Sequence, residues 1–130
     1  MLARLVGPLV AACPPGVDVL LGTPVRLSGA LLRPDLLVGS SGADECPVPA
    51  AALLVAEVLS PDTRVVDQCL KPALHAEAGV PFYLVVDPKG AVPVATVFEL
   101  EAGEHAEAAR SGGGVLELER PFPVTIELSR

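Results

Sequence analysis

Two β-type runs flanking one helical segment constrain this chain more than any other feature. AALLVAEVL (51 to 59) and PFYLVVDP (81 to 88) are nearly uninterrupted apolar stretches of strand length, the pattern of strands buried on both faces. Between them, Ser60-Pro61-Asp62-Thr63 carries turn and helix-start chemistry. Residues 64 to 78 then place Val66, Leu70, Ala73 and Leu74 on one apolar stripe and Arg64, Asp67, Lys71 and His75 on a polar one, with Gly79 as a C-cap. Pro72 is expected to kink this helix, since it removes a backbone donor. A strand, a helix and a strand in that order call for a crossover between parallel neighbours.

The flanks call for antiparallel pairing. Residues 2 to 12 read as a short packed helix, rather than a signal peptide, with a break expected at Gly7-Pro8 and an end at Pro14-Pro15-Gly16. VDVLL (17 to 21) and PVRLS (24 to 28), separated by Gly22-Thr23, have hairpin spacing, and RPDLLVG (33 to 39) is a third strand before the polar loop SSGADECPVPA. Further strands are expected at 92 to 100, 115 to 118 and 123 to 128, with EAGEHAEAARSGGG as an exposed loop or hairpin end. The sum is an α/β chain, a single domain over residues 1 to 130, built on a mixed sheet with antiparallel hairpins at both ends.

Composition narrows the function classes. No apolar run approaches the ~20 residues of a membrane helix. Three cysteines, Cys13, Cys46 and Cys69, form neither an even set nor a metal-binding spacing, so the chain reads as cytoplasmic without a disulfide framework. A net charge of −7 and only two lysines, Lys71 and Lys89, exclude a protein that grips nucleic acid by phosphate neutralisation alone. Scarce aromatics (Phe82, Tyr83, Phe98, Phe122) argue against extended stacking platforms. His75 and His105 share no ligand spacing and read as surface histidines.

Glu57 is the conspicuous exception inside its run. A carboxylate in a buried strand needs a cation, hydrogen bonds or a proton. With Asp35 on an adjacent strand, both near the strand ends that meet the 60 to 63 turn, two hard oxygen ligands beside a backbone carbonyl suit Mg²⁺ or Mn²⁺. The plainer readings are an internal ion pair for Glu57, a strand-start carboxylate held by backbone amides or Arg33 for Asp35, and an ordinary i, i+4 surface pair for Asp67 and Lys71.

RPDLLVG, then AEVLSPDTRVVD, then KPALHAEAGVPFYLVVDP, in that order, closely resembles the Uma-type family of restriction endonucleases in the PD-(D/E)XK nuclease superfamily. The resemblance covers residues 33 to 88 and implies a restriction-endonuclease-like core, a mixed sheet flanked by helices. It implies Asp35 as the aspartate of the PD motif and Glu57 as the second acid, with the carbonyl of Val58 as a third metal ligand. Leu59 stands where the common motif has lysine, and Lys71 matches the family's later lysine on the following helix, with Asp67 one turn before it. The lysine would orient water or stabilise the charged transition state.

The implied activity is metal-dependent hydrolysis of DNA phosphodiester bonds, with Asp35, Glu57 and Lys71 catalytic. A second reading keeps the fold without catalysis, as a binding or structural module. It draws on the absence of an acid in residues 1 to 12, where the family carries a glutamate, and on Pro72 directly after Lys71. A homodimer is a further expectation, through the N-terminal segment or the 92 to 100 strand.

Overall fold

A computed structural model describes residues 1–22, 25–27, 30–32, 34–40, 52–60 and 80–128, with the backbone alone described for 25–27, 30–32 and 40. The expected helix over 64 to 78, with Asp67, Lys71, Pro72 and His75, and the loop from 41 onward lie outside these residues. The elements are α1 (Leu2–Ala12), β1 (Val17–Leu21), β2 (Val25–Leu27), β3 (Ala30–Leu32), β4 (Leu36–Ser40), β5 (Ala52–Val58), β6 (Phe82–Asp87), β7 (Val94–Glu101), β8 (Glu104–Arg110), β9 (Val115–Leu118) and β10 (Val124–Glu127).

Six strands form one mixed sheet in the order β1-β4-β5-β6-β7-β8. Among the described residues its one parallel pair is β5 with β6, in the register Glu57↔Val85 and Val58↔Val86. These are the two apolar runs that called for a crossover. Both carry a double apolar face: on β5, Leu54 and Ala56 belong to one core while Val55 belongs to a second. Each buried leucine or valine there contributes about 1.5–3 kcal/mol by leaving water.

The first core lies between the sheet and a layer made of α1 and the β9–β10 hairpin. Leu5 and Leu9 of α1 meet Leu36, Val38, Leu84 and Val97 of the sheet and Leu116 and Ile126 of the hairpin. The second core, on the opposite face, gathers Leu37, Val55, Val80 and Tyr83, with Leu20, Val85 and Phe98 against it.

Four expectations change. The helix runs through Gly7-Pro8 without a break; Pro8 costs one hydrogen bond, and the burial of Leu5 and Leu9 on either side of it holds the turn. Second, β1 pairs with β4, not with the strand after Gly22-Thr23; β2 instead pairs with β3. Third, part of EAGEHAEAARSGGG is a strand, β8, at the sheet edge. The turn from β7 to β8 is the pair Ala102-Gly103, both at positive φ (50° and 82°) between the paired residues Glu101 and Glu104, the backbone of a two-residue hairpin whose twist matches its strands. Fourth, His105 is not a surface residue: it is half-buried, and its Nε2 donates to the carbonyl of Val80 at 2.8 Å, tying β8 to the start of β6.

A bulge between β7 and β8 shapes the edge. Val97 faces Ala109 but Phe98 faces Glu107, so Ala108 is the extra residue. In a regular strand, residues three apart point to opposite faces. The bulge cancels that alternation and puts Glu107 and Arg110 on one side, where they form an ion pair at 2.6 Å.

Candidate functional site

Buried Pro34 leads into β4 and presets the backbone φ just before Asp35. Asp35 is half-buried, and its Oδ2 accepts the N–H of Val58 at 2.8 Å. The bond closes 23 residues of sequence and fixes the carboxylate at the end of β5. One oxygen is thus held by a backbone amide, the plain reading of a strand-start carboxylate. The other, Oδ1, has no hydrogen bond or ion pair among the described residues.

Glu57 is 3% exposed, the charged residue buried in a strand otherwise made of Ala, Leu and Val. It lies on the face of the second core, between Val55 on its own strand and Val85 across the parallel pair. Glu57 is engaged in an interaction within the protein. The β4–β5 register is Leu36↔Ala56 and Leu37↔Val55; continued by one residue, it sets Asp35 opposite Glu57. Directly opposed residues in an antiparallel pair stand about 4.5–5.5 Å apart at Cα. The register carried on in this way would bring the two acids together at one end of the sheet. The backbone at Val58 adjoins both, through its amide to Asp35 and through the peptide bond to Glu57.

This donor set is hard oxygen in a partly buried place, the chemistry that suits Mg²⁺ or Mn²⁺. Among the described residues no cluster of three or more His, Cys, Asp and Glu side chains forms a cage. Two carboxylates and a backbone carbonyl leave positions for water, which Mg²⁺ usually retains. Lys71, the third catalytic candidate, lies outside the described residues.

The same face continues past Glu57 into a groove of about 670 Å³, lined by Val85, Asp87, Thr96, Phe98, His105 and Arg110 among others. Asp87 closes its end of β6, with Oδ1 accepting the backbone N–H of Lys89 at 3.0 Å. Arg110 and Thr96 escaped sequence reasoning because their facing depends on the bulge and on strand pairing over long separations. Only the alternation in EHAEAAR hinted at a strand there.

Comparisons with known proteins bear on the family and the fold. A family profile described as "Putative restriction endonuclease", named Uma2, matches residues 1–130. Among solved structures, the chain resembles one described as "a putative nuclease belonging to DUF820" from Anabaena variabilis ATCC 29413, with a TM-score of 0.61 and 14% sequence identity over 82% of this chain. The match spans 63% of that chain's length, and at this identity it speaks for the fold. No curated protein matches the sequence.

Proposed function

Because the chain belongs to the Uma2 family, we propose that it is a metal-dependent endonuclease hydrolysing DNA phosphodiester bonds, with Asp35 and Glu57 holding Mg²⁺ or Mn²⁺. The observation that carries this reading is the clamp at 2.8 Å between the carboxylate of Asp35 and the N–H of Val58, the residue that follows the buried Glu57. The clamp holds Asp35 in one orientation before any ligand arrives, so little ordering is left to do on binding. Glu57 sits with apolar neighbours on its strand, where the low dielectric strengthens its attraction for a cation. The backbone carbonyl of Val58 is the third protein ligand.

When bound, such an ion supplies a more acidic water and neutralises charge on the phosphodiester. The chain's own residues position and hold. Asp35 and Glu57 fix the place of the ion relative to the sheet end, and Lys71 steadies the charge that grows on the phosphoryl oxygens. The cytoplasm and a homodimer complete the reading, since two strands are cut by two sites; light scattering over a concentration series that shows only monomer would remove the dimer. The net charge of −7 favours a second reading, a non-catalytic binding module on the same fold.

Calorimetric titration of Mn²⁺ and Mg²⁺ into the wild type and into Glu57→Gln separates the two. Saturable binding that disappears in the variant, together with cleavage of plasmid DNA by the wild type alone, is the expected result. A wild type that binds neither ion refutes the nuclease reading and leaves the module.

A further inference from the structure

The registers across four strands align a row of residues across the sheet, at right angles to its strands. Glu57 pairs with Val85, Val85 with Thr96, and Thr96 with Arg110. Val85, Thr96 and Arg110 line the groove beside Glu57, so the row runs from the buried acid, over an apolar step and a hydroxyl, to a guanidinium at the sheet edge. Neighbouring strands stand about 4.8 Å apart, which places the backbone of Arg110 ~14 Å from that of Glu57. Along one strand of B-form DNA, phosphates rise about 3.4 Å of axis each while winding around it, so neighbours stand farther apart than that rise and the row covers only a few nucleotides.

Arg110 faces this groove only because of the bulge at Ala108. Counting regularly from His105, which also lines the groove, residues 107 and 109 would share its face and residue 110 would point away. The bulge reverses the last step. Bulges concentrate where a strand must re-aim a side chain, and here the re-aimed side chain is the cation in the groove lining. Its partner does not hold it firmly: Arg110 and Glu107 are 60% and 47% exposed, and ion pairs so open to water are weak and exchange readily.

We propose that the groove receives the sugar-phosphate backbone of the DNA strand being cut, and that Arg110 leaves Glu107 to hold a phosphate a few nucleotides from the scissile one. The proposal rests on the nuclease reading, and it explains how a chain of net charge −7 engages a polyanion: through one placed contact rather than a basic surface. Asp87, at the other end of the lining, faces the same groove; its charge confines the favourable phosphate position to the Arg110 side.

The test is fluorescence anisotropy with a labelled DNA duplex and a labelled single strand, over a series of salt concentrations, in a Glu57→Gln background so that cleavage does not consume the probe. Adding Arg110→Gln is expected to weaken binding by about three-fold or more and to lower the log–log salt slope by about 0.9 on duplex or 0.7 on single strand. Adding Glu107→Gln instead is expected to tighten binding, because the competitor for Arg110 is gone. Opposite signs identify a phosphate contact, whereas a merely structural ion pair would move both variants the same way. Unchanged affinity and slope in the Arg110 variant, or the same sign in both, overturns the assignment. A wild-type protein that binds neither probe, with Ca²⁺ in place of Mg²⁺, overturns the nucleic-acid reading itself.

Discussion

Replacing Asp35 probes the clamp separately from the metal. In Asp35→Ala the N–H of Val58 loses a charged acceptor held at 2.8 Å in a partly buried place. Hydrogen bonds to charged groups contribute about 1.5–3 kcal/mol. With an unfolding entropy of about 2.1 cal/mol/K per residue, a domain of 130 residues has ~0.27 kcal/mol/K in all, so each kcal/mol moves Tm by about 4 °C. Asp35→Ala should therefore lower Tm by roughly 6–11 °C in EDTA. Asp35→Asn keeps an acceptor oxygen in the same place and exchanges a charged hydrogen bond for a neutral one, a loss of about 1 kcal/mol or ~4 °C. Thermal melts followed by circular dichroism, with urea titrations to compare m values, read the difference. If the alanine variant melts within about 2 °C of the wild type, or alongside the asparagine variant, the carboxylate does not fasten β4 to the end of β5 and the account of a preset ligand fails.

The β7–β8 turn holds Ala102 at φ 50°, a left-handed conformation that costs a residue with a Cβ roughly 1–2 kcal/mol. Ala102→Asn should stabilise the protein by about 0.5–1.5 kcal/mol in urea unfolding, since Asn-Gly is the preferred pair for this turn; a destabilised variant would show that the turn is built otherwise. Burial, and after it the carboxylate of Asp18, pushes the thiol of Cys13 up. Less thiolate near neutral pH means slower alkylation, so peptide mapping after iodoacetamide should show Cys13 reacting more slowly than a free thiol and faster again in Asp18→Asn. Labelling at the free-thiol rate would contradict the burial.

Much of the architecture was legible where burial acts on both faces of a strand. β5 and β6 announce themselves because a doubly covered strand has no polar alternation to hide behind, and a helix of the length of α1 shows its stripe despite Pro8. The partner of β1 was not legible. A tight turn after Leu21 is a local inference, while pairing with β4 is decided by which apolar rows meet across the sheet, and local sequence carries little of that. β8 was missed because its strand is an exposed edge rich in Glu and Ala, and because its hairpin turn is Ala-Gly rather than Asn-Gly. At the candidate site, Glu57 stood out as a charge in an apolar strand, and Asp35 just precedes the strand paired beside it. Arg110 could not be seen in the same way, since a single bulge determines the face it occupies.

The layer formed by α1 and the β9–β10 hairpin joins elements far apart in sequence, α1 and β10. During synthesis at about 5–20 residues per second, α1 emerges on the order of 6–20 s before β10 does. Throughout that interval Leu5 and Leu9 have no hairpin to pack against. Contacts this distant in sequence carry the largest chain-closure cost and therefore form late. Residues 124 to 127 thus act as a late clasp, and a nascent chain paused before them presents its greasy helix to chaperones and proteases.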